Sequence, residues 1–278
     1  MLINTKKILQ HAQQEKYAVA AFNVYNLETV QVAIHVAERE NQPVIIALGE
    51  RYFPTVDVEG FAAFVKALAE KSAVPVALHL DHAYEKESII RAIRCGFTSV
   101  MFDGSAYDLD ENIRRTKEIV EIAHMAGVSV EAEIGSLAKG DFSDEEEGDG
   151  TLTDPQSAKD FVDTTGVDFL AAAIGTVHGM YKGEPKIDLP LLERIQQAVD
   201  VPLVLHGGSG TPDSVITQAV QLGICKVNVN TEVSMAAVSY LQHAFENKQM
   251  VHLSTVMADM QQAMEPVMTK FVRLFANR

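Results

Sequence analysis

The stretch Val74-Pro75-Val76-Ala77-Leu78-His79-Leu80-Asp81-His82 decides the fold. A proline punctuates its start, an apolar run rich in β-formers follows, and a helical pattern opens near Tyr84. The run ends in a carboxylate and an imidazole side by side. In a parallel α/β protein the carboxyl end of a strand is where chemistry is sited, so Asp81-His82 reads as an acid/base group beside a metal ligand. Two later stretches repeat the arrangement in part. Phe169–Ile174 leads into Val177-His178-Gly179, and Val201–Leu205 into His206-Gly207-Gly208-Ser209-Gly210. Three histidines at three strand ends match the ligand count of an open catalytic zinc site.

Outward from this stretch, strand and helix alternate. Asn4 or Thr5 caps a first helix to about Gln14, and Tyr17–Phe22 is the first strand. Val44–Leu48, Ser99–Phe102, Val128–Ile134, Leu203–Leu205 and Ile224–Val229 complete the strands together with the two already quoted. Helices are expected over Leu27–Arg39, around Phe61–Ala69, to about Arg94, over Leu109–Ala126, from Pro155 to about Thr165, over Leu189–Val199, from Thr211 to Leu222 and from Thr231. A last amphipathic helix covers roughly Thr255–Leu274. Eight strands, each followed by a helix, with no linker and no change of composition, predict one α/β domain over residues 1–278. That domain is a single (β/α)8 TIM barrel with extra N-terminal and C-terminal helices.

One connection breaks the pattern. Gly135 to Thr153, about 19 residues, exceeds the 2–6 expected of a βα loop and carries Asp141, Asp144, Glu145, Glu146, Glu147 and Asp149. It reads as a solvated acidic loop, or as a mobile lid that brings one acidic side chain to the site.

The 278 residues carry a formal charge of -15, which argues against a nucleic-acid or anionic-membrane partner but leaves room for a small anionic substrate. Cys95 and Cys225 are too few for a disulfide framework or a thiolate cage and are read as reduced and buried. With no signal-like segment and no run approaching a membrane span, a cytoplasmic location is expected.

Nine histidines need sorting. His11, His35, His124 and His243 fall in helical patterns and His252 in a turn, so they are surface or packing residues. His79, inside the third strand, reads as a buried, hydrogen-bonded core residue. His82, His178 and His206 remain. Glycines supply a second signal: Gly179, Gly207, Gly208 and Gly210 let the backbone approach a ligand. With Ser209, Asn228 and Thr231 next to two helix N-termini, they outline a phosphate cradle. Lys226, the only strand-borne lysine, is the candidate for a rival Schiff-base mechanism.

These residues resemble the class II, zinc-dependent ketose-bisphosphate aldolases, in particular the shorter, tagatose-bisphosphate-aldolase-like branch. The likeness covers nearly the whole chain. It rests on Ala21-Phe22-Asn23 with Asn26, His79-Leu80-Asp81-His82 and Phe102-Asp103-Gly104-Ser105. It continues through Val130-Glu131-Ala132-Glu133-Ile134-Gly135, Gly175-Thr176-Val177-His178-Gly179, His206-Gly207-Gly208-Ser209-Gly210 and Lys226-Val227-Asn228-Val229-Asn230-Thr231. The resemblance implies zinc on His82, His178 and His206, with Asp103 and Glu133 able to hold it in an alternative buried position. It also implies a monovalent cation as a second cofactor. Asp81 matches the acid/base. Gly179, Gly207, Ser209, Asn228 and Thr231 match the site for the dihydroxyacetone-phosphate half, with Lys182 near it.

The reaction so implied is reversible cleavage of a ketose 1,6-bisphosphate to dihydroxyacetone phosphate and an aldehyde such as glyceraldehyde 3-phosphate. A glutamate on the loop after the fifth strand protonates the enediolate in that family. Counting from Glu133, its position falls on Asp141, with Glu145, Glu146 and Glu147 as alternatives. Asn230 stands where fructose-type enzymes carry aspartate and tagatose-type ones alanine, and Gly49-Glu50-Arg51-Tyr52-Phe53 does not match the tagatose pattern. These departures leave the sugar open and motivate a second reading, a non-catalytic phosphosugar-binding barrel. The family is oligomeric, so a homodimer or homotetramer is expected. The apolar face Val256, Met260, Met264, Val267 and Phe271 of the last helix either forms the interface or covers the barrel.

Overall fold

Short aliphatic runs form the strands of the computed structural model, which describes residues 1–145, 148–247 and 252–277. They are β1 (Val19–Asn23), β2 (Val44–Gly49), β3 (Val76–Ala83), β4 (Ser99–Phe102) and β5 (Ser129–Ile134). There follow β6 (Ala138–Lys139), β7 (Phe169–Ala172), β8 (Val177–His178), β9 (Leu203–Leu205) and β10 (Ile224–Val229). Eight of them close a parallel barrel in the order β1-β10-β9-β7-β5-β4-β3-β2, a TIM barrel, while β6 and β8 pair as a separate ribbon. Every residue of the eight barrel strands is buried, since one face packs on helices and the other fills the interior.

The helices are α1 (Thr5–Glu15), α2 (Leu27–Glu40), α3 (Val58–Lys71), α4 (Lys86–Cys95) and α5 (Leu109–Met125). Next come α6 (Pro155–Thr165), α7 (Leu189–Ala198), α8 (Asp213–Gln221), α9 (Thr231–Glu246) and α10 (Leu253–Phe275). Side chains of Asn4, Asn26, Asp57, Asp108, Asp154 and Asp188 cap six of them by accepting first-turn amides. No side chain of Pro212 or Asn230 caps α8 or α9, the two helices that begin beside the glycine-rich turn.

The barrel interior is graded. Its floor is apolar: Ile8, Leu9 and Ala12 of α1 pack against Val19, Ala21, Ile45, Ala77, Phe169, Ala171 and Val204. Above the floor the inward positions turn polar, with His79, Glu131 and Lys226 buried, then Asp81, Glu133 and Asn228. Period-two alternation aims His79 and Asp81, and likewise Glu131 and Glu133, at the same interior.

Some expectations shift. The sixth barrel strand ends at Ala172, before the predicted Ile174, and the chain then turns through residues 173–176. The acidic loop is less featureless than its pattern suggested: Ala138↔Val177 and Lys139↔His178 pair in parallel, and Asp141 bridges Met180. Cys225 is buried as expected, whereas Cys95 is only half-buried; both are free thiols. On α10, Val256, Met260, Met264 and Phe271 are buried against the chain's own core, and Val267 packs against it. That face covers the barrel and is not available to a second subunit. No helix among the described residues is long and apolar enough to cross a membrane.

Candidate active site

Adjacent residues on a strand face opposite ways, so Asp81 and His82 should not share a cavity. They do because His82 takes a left-handed backbone, φ 38°, and the β3–β4 register shifts between Leu80 and Ala83. A non-glycine residue held there is strained, and the strain turns the imidazole back over the barrel mouth. His206 comes from the residue after β9, as expected, whereas His178 comes from β8 of the separate ribbon and not from the end of the sixth barrel strand. Ligand nitrogens of the three lie within 4.8 Å of one another.

The tautomers follow from the partners. His82 Nδ1 donates to Asp103 Oδ2 at 2.7 Å, and His206 Nε2 to Glu131 Oε1 at 2.7 Å. Their other nitrogens, His82 Nε2 and His206 Nδ1, face each other at 2.9 Å. Nε2 of His178 is buried with no hydrogen-bond partner. Two ring nitrogens this close must share a proton or a metal cation, and three imidazoles, two of them backed by carboxylates, are a donor set that zinc takes. The residues therefore fit the metal. Asp103 stands as the acceptor that orients His82. Glu133, whose Oε2 is buried without a hydrogen bond and lies 3.5 Å from His206 Nδ1, forms another donor group with His82 and Asp103.

Asp81 is held from both sides, accepting from Asn23 Nδ2 at 2.8 Å and from Asn228 Nδ2 at 3.0 Å. Burial opposes its charge, yet His82 and Lys226 hold its carboxyl well below the usual carboxylate range. Glu133 moves the other way, raised well above the ordinary value by burial and the neighbouring Asp103 charge. Burial and the charges of His82 and His206 push His178 well below the usual histidine value.

One cavity gathers most of the expected residues. Asp81, His82, His178, Gly179, Gly207, Ser209, Asn228 and Thr231 line it, with Asn23, Gly208, Asn230, Ser143, Asp144 and Glu145. Gly207 and Gly179 have positive φ, 72° and 96°, and a Cβ on either would strike the carbonyl of Val177 or Asp141. The uncapped start of α9 adds backbone amides, of which Glu232 N donates to Ser209 Oγ at 3.3 Å.

Two expected residues are not brought in. Lys182 and Asp141 are both exposed, lie 3.8 Å from each other and do not line the cavity. Two acidic residues of the loop do reach it, Asp144, which stays exposed, and Glu145, whose side chain is 11 % exposed. Arg51, just after β2, forms an ion pair with it, and Tyr52 and Asn230 hydrogen-bond to the neighbouring Asp144. Burial raises the Glu145 carboxyl above its usual value against the pull of His82 and Arg51. Glu146 and Glu147 lie outside the described residues.

Residues 3–278 match the family described as Fructose-bisphosphate aldolase class-II. Among solved structures, the YdjI aldolase from Escherichia coli K12 is 36% identical, with 100% of this chain and 98% of that one covered and a TM-score of 0.90. A putative fructose-1,6-biphosphate aldolase from Coccidioides immitis is 31% identical over 98% of this chain and 95% of that one, also with a TM-score of 0.90. Fructose-bisphosphate aldolase from Campylobacter jejuni, 22% identical over 99% and 96% with a TM-score of 0.82, shares the fold. Barrel and site together are those of a metal-dependent aldolase, a carbon–carbon lyase. The chain belongs to the class II fructose-bisphosphate aldolase family.

Proposed function

We propose that this chain, acting as one cytoplasmic catalytic domain, is a zinc-dependent aldolase that reversibly cleaves a ketose 1,6-bisphosphate. The products are dihydroxyacetone phosphate and an aldehyde such as glyceraldehyde 3-phosphate. The observation that carries the reading is the convergence of three imidazole nitrogens next to a cavity that Asp81, anchored by two amides, lines together with His82 and His178. His82, His178 and His206 would hold the metal. Bound zinc supplies Lewis acidity at the ketose C2 carbonyl, where negative charge develops as the C3–C4 bond breaks.

Asp81 takes the proton of the C4 hydroxyl as that bond opens and returns it in condensation. Its amide partners keep both oxygens aimed at the cavity. Glu145, in preference to Asp141, donates the proton that C3 needs. It reaches the cavity, and burial favours its protonated form. Backbone amides flanking Gly208, whose own amide donates to the Asn228 carbonyl, and the start of α9 hold the phosphate of the dihydroxyacetone half, with Asn228 and Thr231 beside them.

Lys226 is fully buried and ion-paired with Glu131, and it does not line the cavity, which disfavours the Schiff-base route. Assembly as a homodimer or homotetramer remains part of the proposal. Exposed Val238, Phe245 and Leu253 on α9 and α10 offer an apolar surface for it. The test is a panel of ketose phosphates on zinc-loaded and chelator-stripped protein. Dihydroxyacetone phosphate release that depends on zinc supports the reading, and equal release from the stripped protein defeats it.

A further inference from the structure

A second layer of charge lies beneath the three imidazoles, and the reaction above does not use it. His79, Glu131 and Lys226 are each 0% exposed, on β3, β5 and β10. His79, Asp81 and Glu131 form a donor group with ligand atoms within 4.8 Å of one another, as compact as His82, His178 and His206. By donor type and spacing it could hold a metal ion of its own. A resident cation is already there: Lys226 Nζ lies 2.7 Å from Glu131 Oε2 and 3.4 Å from His79 Nε2.

The polar contacts around this layer run in one direction. His79 Nε2 lies 3.4 Å from both Lys226 Nζ and Glu131 Oε2; Lys226 has only hydrogens to give, so in its hydrogen bond with the ammonium Nε2 accepts and Nδ1 carries the ring proton. His79 Nδ1 then donates to Ser99 Oγ at 2.8 Å, and Ser99 passes its hydrogen to Thr5 Oγ1 at 2.5 Å on α1. Upward, the other oxygen of Glu131 accepts from His206 Nε2 at 2.7 Å, which turns the His206 Nδ1 lone pair toward His82 and His178. A metal in the lower group would need the same two atoms that Lys226 holds, His79 Nε2 and Glu131 Oε2.

We propose that Lys226 is a positioning residue that serves as a tethered cation: it fills the lower donor group, so that metal binds only in the upper one, and it steadies Glu131 as the acceptor that fixes His206. Two buried carboxylates, Asp81 and Glu131, require compensating charge in an interior that admits no water-borne counterion. A divalent ion could supply it. A lysine supplies it without dissociating and leaves the metal beside the substrate cavity as the exchangeable one. The inference rests on the zinc reading above, and its test separates the two.

The experiment counts zinc per chain after equilibration in buffered zinc, by elemental analysis, for wild type, Lys226→Ala, Lys226→Arg and Lys226→Ala/Glu131→Gln. The expected counts are one, two, one and one, because removing the ammonium opens the lower group and removing a lower donor closes it again. A Lys226→Ala chain that folds only with added zinc and carries two ions gives the same support. Should that variant stay unfolded at every zinc level, the wild type decides through long-range ¹H–¹⁵N spectra of its imidazoles. A proton on His79 Nδ1 and on His206 Nε2, with one zinc even at millimolar excess, supports the assignment; either opposite tautomer, or a second zinc in wild type, overturns it. A wild type that binds no zinc overturns the metal reading itself. A Lys226→Ala chain with one zinc beside a one-zinc wild type overturns this proposal alone.

Discussion

Replacing Asp81 separates its chemical role from its structural one. Asp81→Ala removes a carboxylate that accepts from Asn23 at 2.8 Å and Asn228 at 3.0 Å. One acid/base group contributes about 10²–10⁴-fold, which is about 2.7–5.5 kcal/mol of barrier. The same change strands two buried amide donors, at about 1–3 kcal/mol each. Asp81→Asn keeps the shape and one of the two bonds, so it should cost roughly half as much stability. Both variants should therefore lose kcat to a similar degree, with Asp81→Ala melting several degrees below Asp81→Asn at about 2–4 °C per kcal/mol. Zinc content should stay at the wild-type level in each, because Asp81 is not one of the three upper ligands. The assay couples dihydroxyacetone phosphate release to its reduction, beside elemental analysis and thermal melts. An Asp81→Asn enzyme with more than about a tenth of wild-type kcat refutes the acid/base role. Zinc loss in proportion to activity would instead make Asp81 a support for the metal.

Four further outcomes are expected. His178→Ala should lose zinc retention or most activity, since its Nε2 is buried without another partner; full zinc and full turnover would sink the ligand assignment. Glu145→Ala should cripple solvent-isotope exchange into dihydroxyacetone phosphate while Asp141→Ala leaves it near normal, and the reverse pattern would move the proton to Asp141. In metal-free protein, burial would raise Glu131, but Lys226 and His206 hold its carboxyl down at about 2 against an ordinary 4.5. A depressed folded value stabilises fully above pH 4.5 and is lost as pH falls toward 2, so wild type should lose melting temperature over that interval faster than Glu131→Gln; parallel curves contradict this. Light scattering at micromolar concentration should give a multiple of the 30.4 kDa chain mass, and a monomer would refute the proposed assembly.

The barrel was legible because its strands are short runs rich in aliphatic residues and many of its helices begin at side-chain caps such as Asp154-Pro155. His82, His178 and His206 were legible because each follows such a run. Glu131 escaped notice beside Glu133, although Val130-Glu131-Ala132-Glu133-Ile134 places both carboxylates on one face, and that face of a barrel strand is the interior. The β6–β8 ribbon is two residues per strand, too short for any period, and depends on Gly140 and Gly179 letting backbones meet. Asp141 was favoured by counting along the chain. Which loop side chain turns inward is settled instead by contacts from distant elements, Arg51 after β2 and Asn230 before α9, and no local pattern encodes those.

The charged layer inside the barrel also bears on how the chain folds. His79 and Glu131 arrive with β3 and β5, whereas Lys226 arrives only with β10, 95 residues after Glu131. An intermediate built from the first five strands would bury two carboxylates and an imidazole without their ammonium. That arrangement is unstable in an apolar interior, so the partial barrel must stay open to water. Closure and charge pairing are therefore expected to be coupled, with ring completion by β10 as the step that joins them. A chain stalled before that strand would be a hydrated half-barrel rather than a collapsed one.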